Sequence, residues 1–362
     1  MSKTTKPDSV TPYRLDALSD ELLALPSHQL HKVLNGPTLV TLQGIRSEPL
    51  FLTVLLHGNE DTGWRVVQNL LAQYGKQKLP RTLMLFIGNV RAARYRKRKL
   101  QSQPDFNRIW DGGDEAEVAV IAEVVKEATR HRLFASIDIH NNSGLNPHYA
   151  CINRLAPEFL YMARKFSRSV VYFVRPRGVQ SITFSGLCSA VTLECGQPGD
   201  EYGVQRATRF VDEMLKLEHF PEHAPDAGDI DLFHTVATVK IPHERVISFD
   251  GSAAQVSFIP GLETLNFEEI PADTIIATLA DGFSDKNPPF HVWAESGEDI
   301  FGEVFGCEGG RLLTRRALIP SMLTTSIPIV RQDCLCYLME PYQIAWGEKT
   351  VHDTRHAWRA AN

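Results

Sequence analysis

Residues 50–74 read LFLTVLLHGNEDTGWRVVQNLLAQY, and the pattern changes at His57. The run before it is short and continuously apolar, as a buried strand requires. The run after it, 61–74, places apolar side chains at helical spacing. A strand that ends on a histidine and gives way at once to a helix is a building unit of an α/β fold.

Working outward, the unit recurs. RTLMLFIGN at 81–89 is a second buried-strand candidate, and LFASIDIH at 133–140 is a third. Between them, DEAEVAVIAEVVKEATR at 114–130 predicts a helix with acidic residues at its start, where the helix dipole favours them. Helical patterns follow at 156–168 and 203–218, with strand patterns at 169–174 and 190–194. Upstream, 15–33 carries a helical pattern interrupted by Pro26. TLVTLQ at 38–43 predicts a hairpin with the 50–56 strand around the polar stretch RSEP.

Alternating strands and helices predict an α/β domain with a largely parallel sheet flanked by helices. It ends near residue 220, where FPEHAPDAGDID has linker composition. Beyond it, 232–344 holds short β-rich runs such as HTVATVKI, TIIATLA and CLCYLM between Gly, Pro and Asp turns. These predict a smaller all-β domain, a sandwich or open barrel. The expected division is a tail and helical segment at 1–35, the α/β domain at 36–220, the β domain at 232–344 and a tail at 345–362. Residues 1–11 are expected to be disordered.

Composition narrows the function classes. The chain of 362 residues is 43% hydrophobic and 22% charged, with formal net charge −5. That is an ordinary globular composition, and it excludes a general nucleic-acid binder. The opening MSKTTKPDSVTPYR lacks the apolar run of a signal peptide, and no stretch is long enough to span a membrane. The six cysteines are scattered and read as reduced thiols, so the expectation is a cytoplasmic protein with no membrane partner. A homo-oligomer is allowed but not specified.

The chemistry starts at HGNE. His57 closes a strand, and Glu60 stands three residues on, so a turn would let an imidazole and a carboxylate converge on one point. Such ligands suit zinc, and a catalytic zinc site takes three protein ligands and keeps one position open. The best third ligand is His140, which also closes a strand in SIDIHNNSG. Glu194 closes another in AVTLECG. In open α/β sheets, sites gather beyond the carboxyl ends of the strands, so all three strand ends would face one crevice.

HGNE, GNVRAAR…PDFNR, DIHNNSG and LECG stand in the order found in the succinylglutamate desuccinylase and aspartoacylase family, within the zinc carboxypeptidase superfamily. The resemblance covers roughly residues 38–220. It implies a zinc-carboxypeptidase-like, mostly parallel mixed sheet and one zinc ion per chain on His57, Glu60 and His140. It places the catalytic carboxylate on Glu194, which would take a proton from water on the metal. It assigns Asn107 and Arg108 to the grip on the substrate carboxylate and makes Arg98 a catalytic candidate for stabilising the oxyanion. Asn89-Val90 stands where the family usually shows Asn-Pro.

The function so implied is removal of an acyl group from a small anionic N-acyl amino acid. A metallocarboxypeptidase acting on short peptides is the alternative, and a non-catalytic metal- or ligand-binding protein is a third. The basic run RAARYRKRK at 91–99 reads as a solvated face with Arg98 turned to the pocket, and no nucleic-acid module accompanies it. Arg175 and Arg177 are candidates for a second substrate carboxylate, and His148, Asn141 and Asn142 for supporting the site.

Overall fold

The computed structural model describes residues 11–343. The tail expected at 345–362 lies outside them, as do all but one of the residues expected to be disordered at 1–11.

The chain begins with β1 (Tyr13–Leu15) and a short helix α1 (Asp20–Leu23), followed by a 3-10 turn at Ser27–Lys32. The helical pattern at 15–33, interrupted by Pro26, takes the form of these two short pieces, one on each side of the proline. Next come β2 (Thr38–Leu42), β3 (Arg46–Val54), α2 (Thr62–Tyr74), β4 (Arg81–Ile87) and a short helix α3 (Val90–Ala93). After a long loop follow α4 (Ala116–Ala128), β5 (Ala135–His140), β6 (Tyr149–Ile152), α5 (Pro157–Phe166) and β7 (Ser169–Tyr172). Then come α6 (Gln180–Ser185), β8 (Ser189–Glu194) and α7 (Glu201–Lys216).

The expected hairpin is corrected. β2 and β3 do not pair; β4 lies between them, antiparallel to β2 and parallel to β3. The reason is burial: every residue of β4 is buried, so its backbone needs a partner on both edges. The β2–β3 link crosses the start of β4 instead, with Ile45 and Arg46 donating to the carbonyls of Leu79 and Pro80. The polar stretch RSEP belongs to the exposed start of β3 rather than to a turn.

The central run β4-β3-β5-β8 is parallel, and β6 then enters antiparallel to β8. Helices cover this sheet; α2 packs against α7, and Tyr74 donates from its hydroxyl to Asp212 at 2.6 Å. The α2 face that is buried carries Trp64, Val66, Val67 and Leu70, the apolar positions whose spacing marks the helix in the sequence.

The β-rich remainder divides between two sheets. β9 (Asp231–Lys240) pairs with β7 through its first half, so the large sheet continues past the linker. The remaining strands are β10 (Ile247–Ser248), β11 (Val256–Phe258), β12 (Ile275–Leu279), β13 (His291–Ala294), β14 (Phe305–Glu308) and β15 (Arg311–Thr314). β16 (Ile319–Ser321) and β17 (Cys336–Pro341) end the described chain, with short helices α8 (Phe301–Val304) and α9 (Ile327–Gln332) between strands. β13, β16 and β17 join β9 in a 12-stranded sheet, while β10, β11, β12, β15 and β14 form a separate five-stranded one. A small apolar cluster of Tyr149, Cys151, Val171, Ile319 and Met339 ties the two halves together beside the site.

Candidate metal centre and active site

The site grows from strand ends. β5 is buried along its whole length, and successive side chains alternate between its faces. Ser136, Asp138 and His140 therefore share one face. In register, His140 stands beside Glu194 of β8, and Glu194 stands opposite Tyr149 of β6. His57 follows β3 by three residues. Between β3 and His57 the chain turns through Leu55 in the left-handed region, at φ 57°. Gly58 then runs so close to α3 that a Cβ would lie 2.2 Å from the Ala93 nitrogen. Only glycine permits that approach, and the Gly58 amide donates to the Arg98 carbonyl at 3.1 Å. The two chain segments that carry His57 and Arg98 are thus locked together.

His57, Glu60 and His140 converge and are buried, with one donor atom from each lying within 4.8 Å of the others. Both imidazoles turn Nδ1 inward: His57 Nδ1 is 2.7 Å from Glu60 Oε1, and His140 Nδ1 is 2.7 Å from Glu60 Oε2. Both turn Nε2 outward onto a carboxylate, His57 to Asp105 at 3.0 Å and His140 to Asp138 at 2.8 Å. This is how metal-ligating histidines are oriented, with the outer nitrogen fixed so that the inner one presents a lone pair. The donor set of two nitrogens and one carboxylate fits zinc. Asn141 steadies it by donating its backbone N–H to Glu60 Oε2 at 3.2 Å and its amide to Thr62 and Gly196.

The electrostatics follow from the packing. Burial alone would push Glu60 up, but His57 and His140 on its two oxygens pull it far below the ordinary carboxylate range. Burial and Arg98 oppose charge on His57, and burial opposes it on His140. The surrounding carboxylates prevail, so both imidazoles sit above the usual value. Glu194 is different. Burial pushes its carboxyl up to about 7, and its Oε2 has no hydrogen-bond partner. An unpaired buried carboxylate oxygen is costly and rare, and it marks a place where a group is to be received.

These residues line one open cavity of about 690 Å³. Arg98, Asn107 and Arg108 reach it from the loop after α3. Asn107 is held in place: its Oδ1 accepts from the Gln180 amide at 2.9 Å, and its Nδ2 lies 3.2 Å from His140 Nε2. Arg98 donates through Nε to Asp105 at 3.0 Å and through Nη2 to Asp333 at 3.1 Å. Arg108 donates through Nη2 to both oxygens of Asp333, at 2.8 and 2.9 Å. Burial opposes the charge of each group in this pair, but the pairing prevails: Asp333 is pulled below the carboxylate range and Arg108 is held well above its ordinary value. Asp333 comes from the turn between α9 and β17, so the β-rich half of the chain supplies a wall of the cavity.

The geometry brings together all seven residues singled out in the sequence: His57, Glu60, Arg98, Asn107, Arg108, His140 and Glu194 all line the cavity. Of the weaker candidates, Arg175 lines it and Arg177 does not. His148 turns away, its Nε2 lying 2.8 Å from Asp200. Asn142 accepts from the Tyr149 hydroxyl at 3.4 Å. Sequence reasoning missed Asp105, Asp138, Asp333 and Tyr337, the last of which lines the cavity with its hydroxyl 3.5 Å from Arg108 Nη2. Asp138 carried a usable signal, since a residue two before His140 on a strand shares its face; Asp333 carried none. All six cysteines are free. Among the described residues, no helix is long and apolar enough to cross a membrane.

Residues 48–200 match the model of the succinylglutamate desuccinylase/aspartoacylase catalytic domain. No curated protein sequence matches the chain. Solved structures share its fold. Succinylglutamate desuccinylase from Chromobacterium violaceum aligns with a TM-score of 0.54 at 16% identity, covering 86% of this chain and 91% of that one. A succinylglutamate desuccinylase/aspartoacylase from Rhodobacter sphaeroides aligns with 0.55 at 17%, covering 85% and 89%. Murine aminoacylase 3 aligns with 0.54 at 15%, covering 82% and 96%. At such identities the likeness is one of fold. The large, mostly parallel mixed sheet flanked by helices, with a second, smaller sheet, is the fold class expected from the sequence.

Proposed function

We propose that the chain is a zinc-dependent amide hydrolase that removes the acyl group from a small N-acyl amino acid. One observation carries the reading: two histidines, each braced by an outer carboxylate, aim their inner nitrogens at Glu60, and unpaired Glu194 opens onto the same cavity. The names of the structural relatives, desuccinylase and aminoacylase, support the substrate class.

In this reading His57, Glu60 and His140 hold one zinc ion per chain. When bound, zinc lowers the pKa of water and polarises a carbonyl. Glu194 takes the proton of the attacking water and returns it to the leaving nitrogen. Burial holds its carboxyl above the ordinary carboxylate value, which favours carrying the proton to the leaving nitrogen. Asp105 and Asp138 keep the two imidazoles in the orientation that presents Nδ1. Arg98, buried and cationic beside the cluster, stabilises negative charge on the scissile carbonyl oxygen. Asn107 and Arg108 form the adjoining substrate wall. The α/β part at 36–220 is the catalytic unit, and the part at 232–344 narrows the cavity toward small substrates. Six free thiols support a reducing, cytoplasmic setting.

The deciding experiment is amine release from a panel of N-acyl amino acids and short peptides, with chelated protein before and after zinc. Zinc-restored release from acyl amino acids is the expected result. Cleavage of peptides alone would make the protein a carboxypeptidase, and silence on both would remove the hydrolase reading.

A further inference from the structure

One face of the large sheet forms the cavity floor beside Glu194. On β8, Thr192 and Glu194 are two residues apart and so share a face. Across the strands, Thr192 stands in register with Cys151 of β6, and Cys151 with Val171 of β7. All four line the cavity. The row Thr192–Cys151–Val171 crosses three strands, about 10 Å at the usual strand spacing. It offers a methyl-bearing hydroxyl, a thiol and an isopropyl group, and no cation. Burial, and then the Glu194 carboxylate, hold the Cys151 thiol well above its ordinary value, so it stays uncharged. Cys151 and Val171 belong to the apolar cluster that ties the two halves of the chain together, with Phe173 packed against it. The cations that line the cavity lie elsewhere: Arg98 and Arg108 on the loop after α3, and Arg175 exposed after β7.

We propose that this row receives the side chain of the substrate's amino acid and selects an uncharged, apolar one over that of aspartate or glutamate. The inference rests on the deacylase reading above and names its substrate class. In that reading the carboxylate of the amino acid is held at Asn107 and Arg108, which Asp333 engages through Nη2 alone, and Glu194 returns its proton to the leaving nitrogen. The α-carbon between those two points lies over the floor beside Glu194, so the side chain it carries extends along the row. An apolar chain there exchanges water for methyl, thiol and aromatic surface. A side-chain carboxylate would lose its water among groups that cannot balance its charge, close to the repelling carboxylate of Glu194.

N-acetyl-L-methionine and N-acetyl-L-aspartate differ only in that side chain. Binding of each is measured by calorimetry on the full-length, zinc-loaded Glu194→Gln protein, which does not turn them over. That protein also lacks the repelling carboxylate, so a preference seen in it belongs to the row. The methionine ligand is expected to bind at least about 10-fold more tightly, the scale of burying one apolar side chain. Adding Val171→Phe, which fills the row, should weaken the methionine ligand about 10-fold relative to N-acetylglycine. A merely structural role would weaken both together. Val171→Ala, the milder change, should lower the same ratio about 3-fold and decides the matter if Val171→Phe does not fold. The proposal is overturned if the aspartate ligand binds as tightly as the methionine ligand or more so, if neither binds, or if the methionine-to-glycine ratio ignores both variants. Turnover separates it from the reading it rests on. Preferred binding of methionine with a silent panel would remove the hydrolase and leave the row; amine release from acyl aspartate and glutamate alone would remove the row and leave the hydrolase.

Discussion

At the strand-end wall of the cavity the chemistry is set by short spacings. His57 and Glu60 are three residues apart, Asp138 and His140 two apart on one strand face, and Glu194 stands in register beside His140. At the facing wall the same kinds of side chain meet across the whole fold: Arg98 and Arg108 reach Asp333 over sequence separations of 235 and 225 residues. The first wall leaves a carboxylate oxygen unpaired and two imidazole nitrogens aimed at one point. In the second, each charge already has an opposite charge beside it. A group arranged for chemistry is recognised by what it lacks, and a structural pair by how fully it is satisfied.

The largest expected effect lies on the open wall. Glu194→Gln keeps the shape of the side chain but cannot take a proton, so turnover should fall on the order of 10³-fold, within the usual range for general acid–base catalysis. Zinc content, measured on the same sample by elemental analysis, should stay at one per chain. A fall of only a few-fold would remove Glu194 from its assigned role and leave the open wall without a base.

Asp333→Asn probes the closed wall, and its effect should be on stability. It leaves two cations without a full counter-charge, and breaking a buried pair of this kind costs about 3–5 kcal/mol. Arg108 retains 25% of its side-chain exposure, so about 2–3 kcal/mol is expected here, read from urea unfolding. The pH dependence has a definite sign. Burial works against the Asp333 charge, but Arg108 and Arg98 hold its folded-state pKa below the unfolded value. Its contribution is therefore complete above the ordinary aspartate pKa of about 3.9 and is lost as pH falls through the lower folded value. The gap between wild type and variant should close on acidification. A gap that persists in strong acid would mean that Asp333 acts by packing, not by charge.

Asp138→Asn should weaken zinc binding by about 10- to 100-fold, the usual cost of losing an outer carboxylate on a ligating histidine. An unchanged zinc affinity would show that His140 needs no brace, and the strand-end wall would then be less organised than its geometry implies.

The legibility of the two walls differs for a physical reason. His57, His140 and Glu194 stood out because each follows or closes an apolar strand, and Glu60 by its three-residue spacing from His57; both signals are local. The parallel core was legible on the same ground. The partner of Arg108 was not, because an aspartate in a turn looks the same whether it faces water or a guanidinium from another part of the fold. The hairpin expected between residues 38 and 56 failed similarly. Local polarity suggested a turn, while the need of buried β4 for partners on both edges decided the order. β6 escaped notice because YACI is short and carries no turn signal of its own. The strands after residue 231 were legible as strands, but no local feature told which of two sheets each would join.

The smallest expected effect sharpens the comparison most economically. Arg168 and Asp231 form a pair with contacts about as short as those of Arg108 and Asp333, at 2.8 and 3.1 Å against 2.8 and 2.9 Å, although Arg168 uses Nε and Nη2 where Arg108 uses Nη2 alone. Its side chains, however, are 55% and 48% exposed. Water and salt screen such a pair, and holding two long side chains in one geometry costs entropy that offsets most of its attraction. Asp231→Asn should therefore leave the urea midpoint where it is, while Asp333→Asn moves it clearly. If the two variants were equally damaging, burial would not be what separates the pairs, and the closed wall would lose its claim to be a structural element distinct from any surface contact. If only Asp333→Asn matters, two Arg–Asp pairs with equally short contacts carry different weight in two places, set by how much of each water can reach.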